Sequence, residues 1–142
     1  MKKVGLLAIL VAMAVFAILQ ARGGLFGVPK RDVRSAAFLG EVADGLNKQL
    51  PKAVDAETEL ASVTSLEGVL IYNYRLVNAL AADVDASALL ASVTPGVTRS
   101  VCTTQDTRDK FLKEGITLRY SYVDKAGAQI ASFDVSKADC GT

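Results

Sequence analysis

Residues 116–123 run Ile116-Thr117-Leu118-Arg119-Tyr120-Ser121-Tyr122-Val123. Apolar and polar side chains alternate, so this stretch reads as a strand with one buried and one wet face. Gly115 stands just before it as a helix stop, and Asp124 to Gly127 just after it as a turn. Gln129 to Val135 then returns as a partner strand, with Ala131, Phe133 and Val135 on one face. The same pattern occurs earlier. Val69 to Val77 is a strand with Leu70, Tyr72, Tyr74 and Leu76 on one face, preceded by a strand from Thr58 to Thr64 and a turn over Ser65 to Gly68. The chain therefore carries two hairpins.

Helices separate them. Ser35 is placed to cap a helix beginning at Ala36, and Leu39, Val42, Ala43, Leu46 and Leu50 recur at helical spacing. Gly40 and Gly45 weaken that helix or let it approach a sheet closely, and Pro51 ends it. Asp85 is placed to cap a second helix with Leu89, Leu90 and Val93 inward, which Pro95-Gly96 is expected to break or kink before Val97, Val101 and Cys102 resume its apolar face. Thr104 is expected to cap a third helix, anchored by Phe111 and Leu112 and stopped at Gly115, with Asp106 near its start and Lys113 near its end. The order α-ββ-αα-ββ predicts an α+β domain: an antiparallel sheet of about four strands with helices packed on one face.

The N-terminus differs from the rest. Lys2 and Lys3 precede a continuous apolar run from Val4 to Leu19. Residues 1–22 read either as a cleaved signal peptide or as an uncleaved anchor crossing the membrane through residues 4–21. Residues 23–34 read as a linker and 35–142 as the exported domain. The expected location is periplasmic or secreted, or else anchored in the inner membrane with the domain facing the periplasm. No cysteine follows the apolar run and no acidic residue interrupts it, which speaks against a lipoprotein or pilin-type leader.

Composition narrows the chemistry. The chain has no histidine, which removes Ser-His-Asp and Cys-His mechanisms. The net charge is +1, and three of the cations (Lys2, Lys3 and Arg22) belong to the leader, so the remainder is slightly acidic and offers no basic face for nucleic acid. No metal site, cofactor or phosphate loop is expected. The two cysteines, Cys102 and Cys140, are candidates for a disulfide in an oxidising compartment, or else for two buried thiols.

All four tyrosines fall in a doubled Tyr-x-Tyr: Tyr72, Tyr74, Tyr120 and Tyr122. They read as core or core rim by their strand face, and alternatively as an aromatic platform for a ligand. Asn73, Arg75, Arg119 and Ser121, with Ser132 and Asp134, fall on the opposite face, an ordinary solvated surface or a surface for a partner. Asp55, Glu57 and Glu59 alternate ahead of the first hairpin but lack the glycine and ligand spacing of a calcium loop.

Three functions are compatible with these residues. The first is a non-catalytic envelope or secreted protein that acts by contact with an envelope or extracellular protein. The second is a small-ligand module using the Tyr-x-Tyr strands. The third is a hydrolase with a Ser-Lys or carboxylate pair, though no spacing singles one out.

Several stretches carry a resemblance. Asn47 to Asp55, Tyr72 to Val77, Val101 to Thr104, Phe111 to Tyr122, Asp134 and Ala138-Asp139-Cys140 resemble a family of small secreted proteins of Gram-negative bacteria. The resemblance covers most of the chain after about Ala36. It implies export, a compact α+β domain and a bridge between Cys102 and Cys140, and it supplies no activity.

Overall fold

A computed structural model describes residues 31–141. The leader (1–22) and most of the linker (23–34) lie outside the described residues. In chain order the elements are α1 (Ala36–Asn47), β1 (Lys52–Ala53), β2 (Thr58–Leu66), β3 (Val69–Leu76), a 3-10 turn (Ala81–Asp83), α2 (Ala86–Thr103), the short α3 (Gln105–Thr107), a π-helical turn (Arg108–Leu112), β4 (Thr117–Val123), β5 (Gln129–Val135) and a last 3-10 turn (Lys137–Cys140).

The strands form one sheet in the order β1-β2-β3-β4-β5. Both hairpins are antiparallel, Leu60 facing Tyr74 in the first and Tyr120 facing Phe133 in the second. The α+β class stands, and two details differ from the sequence reading. The sheet has a fifth strand, β1, whose two residues are too few to show alternation. The two hairpins also join side by side in parallel, Tyr72 beside Tyr120 and Tyr74 beside Tyr122. A parallel pair needs a long crossover, and the helical segment between β3 and β4 supplies it. Alternation within a strand carries no information about the direction of its neighbour.

Capping follows the sequence at two helices. The Ser35 hydroxyl accepts from the Phe38 N–H at 3.1 Å, and the Asp85 carboxylate accepts from the Ala88 N–H at 3.1 Å. Thr104 departs from expectation: its hydroxyl donates to the Ser100 carbonyl at 2.7 Å and caps nothing. It closes α2 and also holds the N-cap position of α3, where its carbonyl accepts from the Arg108 N–H at 2.9 Å. Pro95 departs as well, because α2 runs unbroken through it. Proline removes one helical hydrogen bond, to the carbonyl four residues earlier. Here Ala91, Ser92, Pro95 and Gly96 are all exposed, so water can serve the freed carbonyl.

α1 packs over β2, and α2 over β5. Leu39, Val42, Leu70, Leu112, Ile116, Leu118 and Val135 fill the interior between helices and sheet. A disulfide joins Cys102 at the end of α2 to Cys140 in the last turn, with 5.3 Å between Cα atoms. It ties the crossover helix to the chain segment leaving β5.

The two sheet edges are treated differently. β1 covers part of β2, pairing with Glu59 and Leu60. Farther along the same strand, Asn47 takes the place of a strand partner. Its amide donates to the Val63 carbonyl at 2.8 Å and its oxygen accepts from the Val63 N–H at 2.7 Å. One side chain thus blunts an edge that would otherwise invite pairing.

At the far end of β4, Asp124 organises the β4–β5 turn. It accepts backbone N–H groups from Ala81, Ala126 and Ala128, each at 2.8 Å, and so pins the first 3-10 turn to the second hairpin. Those donors hold its carboxyl below the usual range.

Candidate functional site

The parallel register decides where the tyrosines go. β3 and β4 run in step, so the doubled Tyr-x-Tyr becomes a block of four rings on one face. Tyr72 stacks on Tyr120 at 5.3 Å between ring centres, Tyr74 on Tyr122 at 5.2 Å, and Tyr120 on Phe133 of β5 at 5.2 Å. Tyr74 also lies 6.2 Å from Tyr120, which joins the contacts into one continuous row. Offset stacking at these separations adds about 0.5–1.5 kcal/mol per pair beyond burial.

The rings are nearly closed off, at 6–8% exposure. Their hydroxyls are not satisfied from within. None of the four makes a hydrogen bond to another described residue, yet among the described residues no buried side-chain nitrogen or oxygen lacks a partner. α1 covers the β2 side and α2 the β5 side, so the row lies on the middle strands, between the two helices. Leu50, Val54, Leu89 and Val93 are half-buried against the same core.

These hydroxyls are hard to ionise. Burial pushes Tyr72 up to about 12. It pushes Tyr122 up to about 12 as well, with help from the Asp55 carboxylate. Tyr74 and Tyr120 are raised further, first by burial and then by the neighbouring tyrosines. The row is thus a set of neutral O–H groups able to donate or accept hydrogen bonds.

The structure splits the other candidates away from this row. Asn73, Arg75 and Arg119 lie on the opposite face of the sheet, as their alternation requires. There Arg75 pairs with Glu59, and Arg119 holds Asp134 through two bonds at 2.8 and 3.2 Å. The Asn73 amide donates to Ser62 and Thr64, and Ser121 exchanges hydrogen bonds with Gln129. These groups satisfy one another across neighbouring strands. Exposed ion pairs of this kind contribute about 0–1 kcal/mol each.

Asp55 and Glu57 sit in the loop before β2, with the Asp55 oxygen accepting the Glu57 N–H at 2.8 Å. Glu59, the third acid of that alternation, has turned to the opposite face toward Arg75. Among the described residues no group of three or more Cys, Asp or Glu converges in a metal-holding arrangement. Leu50, Val54, Leu89 and Val93 were not singled out for function by the sequence. Their half-burial against the core is a product of packing that linear spacing does not reveal.

No protein-family model matches this chain. No curated protein matches it in sequence. Solved structures do share its fold. A candidate secreted protein of Pseudomonas aeruginosa superposes with a TM-score of 0.63 at 22% identity, covering 80% of this chain and 99% of that one. The type 2 secretion system pilotin EpsS of Vibrio vulnificus gives 0.59 at 17% identity over 75% of this chain and 92% of its own. The type II secretion system pilotin AspS of Vibrio cholerae gives 0.54 at 20% identity over 74% and 91%. At these identities the likeness is one of fold.

Proposed function

We propose that this chain is a non-catalytic, pilotin-like accessory protein of a Gram-negative envelope, acting by contact with a polypeptide of a secretion or envelope assembly. The observation that carries the reading is the tyrosine row, with rings held by stacking and hydroxyls that bond to none of the described residues. Rings fixed by stacking would offer a partner hydrogen bonds through their hydroxyls at little ordering cost. Two supports come from elsewhere. Two of the fold neighbours are pilotins of type 2 secretion systems. The disulfide between Cys102 and Cys140 suits a compartment outside the reducing cytosol.

The test is site-specific photo-crosslinking of the full chain in a Gram-negative host. A crosslinker at Leu89, half-buried on α2 against the core that holds the row, is expected to yield a discrete adduct with one envelope polypeptide. A crosslinker at Ser132, on the opposite face, is expected to yield none. Adducts from Ser132 alone would move the contact to the wrong face. Turnover of an ester, glycan or peptide, abolished by one substitution, would contradict the non-catalytic reading.

A further inference from the structure

The chain leaves β5 through the last 3-10 turn, Lys137–Cys140, and that turn is held differently from the one between β3 and α2. The earlier turn is pinned to the second hairpin by polar bonds. The Ala81 N–H donates to the Asp124 carboxylate at 2.8 Å, and the Lys125 N–H to the Ala79 carbonyl at 3.0 Å. Among the described residues, the hydrogen bonds of the last turn close on the turn itself. The Ser136 N–H and hydroxyl donate to the Asp139 carboxylate at 2.7 and 3.1 Å. The Asp139 N–H donates to the Ser136 carbonyl at 3.0 Å, and the Gly141 N–H to the Ala138 carbonyl at 3.5 Å. Neither Lys137 nor Asp139 makes an ion pair with another described residue. Lys137, Ala138, Asp139 and Gly141 are exposed. What holds the turn against α2 is Cys140, half-buried against the core and bonded to Cys102 at the end of that helix.

A segment with few buried contacts and no hydrogen bonds to its surroundings opens at low free energy once its one strong tie is cut. The sheet has separate support, since α1 packs over β2 and α2 over β5, with Leu39, Leu70 and Leu118 buried between. Neither cysteine is fully buried, so a thiolate has access to the bridge. We propose that the Cys102–Cys140 bridge is a thiol-exchange site for a dithiol reductant and works as a latch: its reduction releases residues 136–141 from α2 while the sheet stays folded. A thiolate of the dithiol bonds to one bridge sulfur as the Cys102–Cys140 bond breaks, and the second thiol then displaces that sulfur. The dithiol is oxidised by two electrons to a disulfide, and its two protons end on the Cys102 and Cys140 thiols. Release uncovers the end of α2 and the part of the core that Cys140 packs against. The latch does not depend on the contact function proposed above.

The turn carries its own reporter, because trypsin cuts after Lys137. The full chain is treated with dithiothreitol at neutral pH without denaturant, its free thiols are counted by alkylation and mass, and trypsin cleavage is followed site by site. Both thiols are expected to be freed and cleavage after Lys137 to speed up about tenfold or more, while cleavage after Arg75 in β3 and Arg119 in β4 stays as slow as in the oxidised chain. A chain carrying Cys102→Ser and Cys140→Ser is expected to show the reduced pattern without reductant. A bridge that resists dithiothreitol until denaturant is added overturns the exchange site. Free thiols with no faster cleavage after Lys137 overturn the latch, since packing alone would then hold the turn. Faster cleavage after Arg75 and Arg119 as well overturns it too, since the bridge would then be holding the whole domain.

Discussion

Single residues in this protein divide between those that close the fold and those proposed to meet a partner. Asn47 belongs to the fold. Its amide replaces a missing strand at Val63, donating and accepting at 2.8 and 2.7 Å. Asn47→Ala should leave a part-buried N–H and C=O unpaired and cost about 1–3 kcal/mol in urea unfolding. A cost near zero would mean that water replaces the amide freely. The tyrosines invite a different experiment, absorbance titration in alkali. Burial raises Tyr72 and Tyr122 to about 12 from an ordinary value of 10.0. The unfolded chain therefore releases these protons first. Their contribution to stability is complete below pH 10 and declines as pH rises toward 12. Tyrosinate absorbance should stay low through about pH 10 to 11 in the native protein and rise with loss of structure. An ordinary titration near pH 10 with the fold intact would contradict the buried row.

At the scale of elements, the sequence revealed much and hid a definable remainder. The strand from Gln129 to Val135 and the caps at Ser35 and Asp85 were legible because each depends on local chemistry. The uninterrupted α2 was not, because the penalty at Pro95 depends on whether water reaches the freed carbonyl, and that depends on tertiary exposure. The tyrosine row was half legible. Alternation assigned Tyr72 and Tyr120 to a buried face, but only the parallel register of β3 and β4 stacks them. Gly40 gives a prediction at this scale. A methyl group there would sit 3.9 Å from the Ser65 hydroxyl, an ordinary contact, and the helix would gain intrinsic propensity. Gly40→Ala should therefore stabilise the protein by about 0.5–1 kcal/mol, read as a rise in the thermal midpoint. A fall would show that α1 sits closer to β2 than the space above Gly40 suggests.

Across the whole molecule, two hairpins are held in step by a helical crossover, and the Cys102–Cys140 bridge closes that crossover onto the end of β5. With 38 residues between the sulfurs in sequence, reduction or a paired Cys102→Ser and Cys140→Ser change should cost about 3–4 kcal/mol on the chain-entropy account. The check is denaturant unfolding with and without reductant, and an unchanged midpoint would mean the packing of α2 on β5 holds without the bridge. The open sheet face is self-satisfied through Glu59–Arg75 and Arg119–Asp134. On the helix face the four tyrosine hydroxyls bond to none of the described residues. That contrast is why the proposed contact site is placed on the tyrosine side.

The most direct measurement is urea unfolding of a chain in which Tyr72, Tyr74, Tyr120 and Tyr122 are all changed to phenylalanine. The rings and their stacking remain, and only oxygens without a hydrogen bond to the described residues are lost. Stability within about 1 kcal/mol of the parent, together with loss of the Leu89 crosslink, is the predicted result. A drop of several kcal/mol would contradict it, since those hydroxyls would then be holding the fold together and would not be free for a partner.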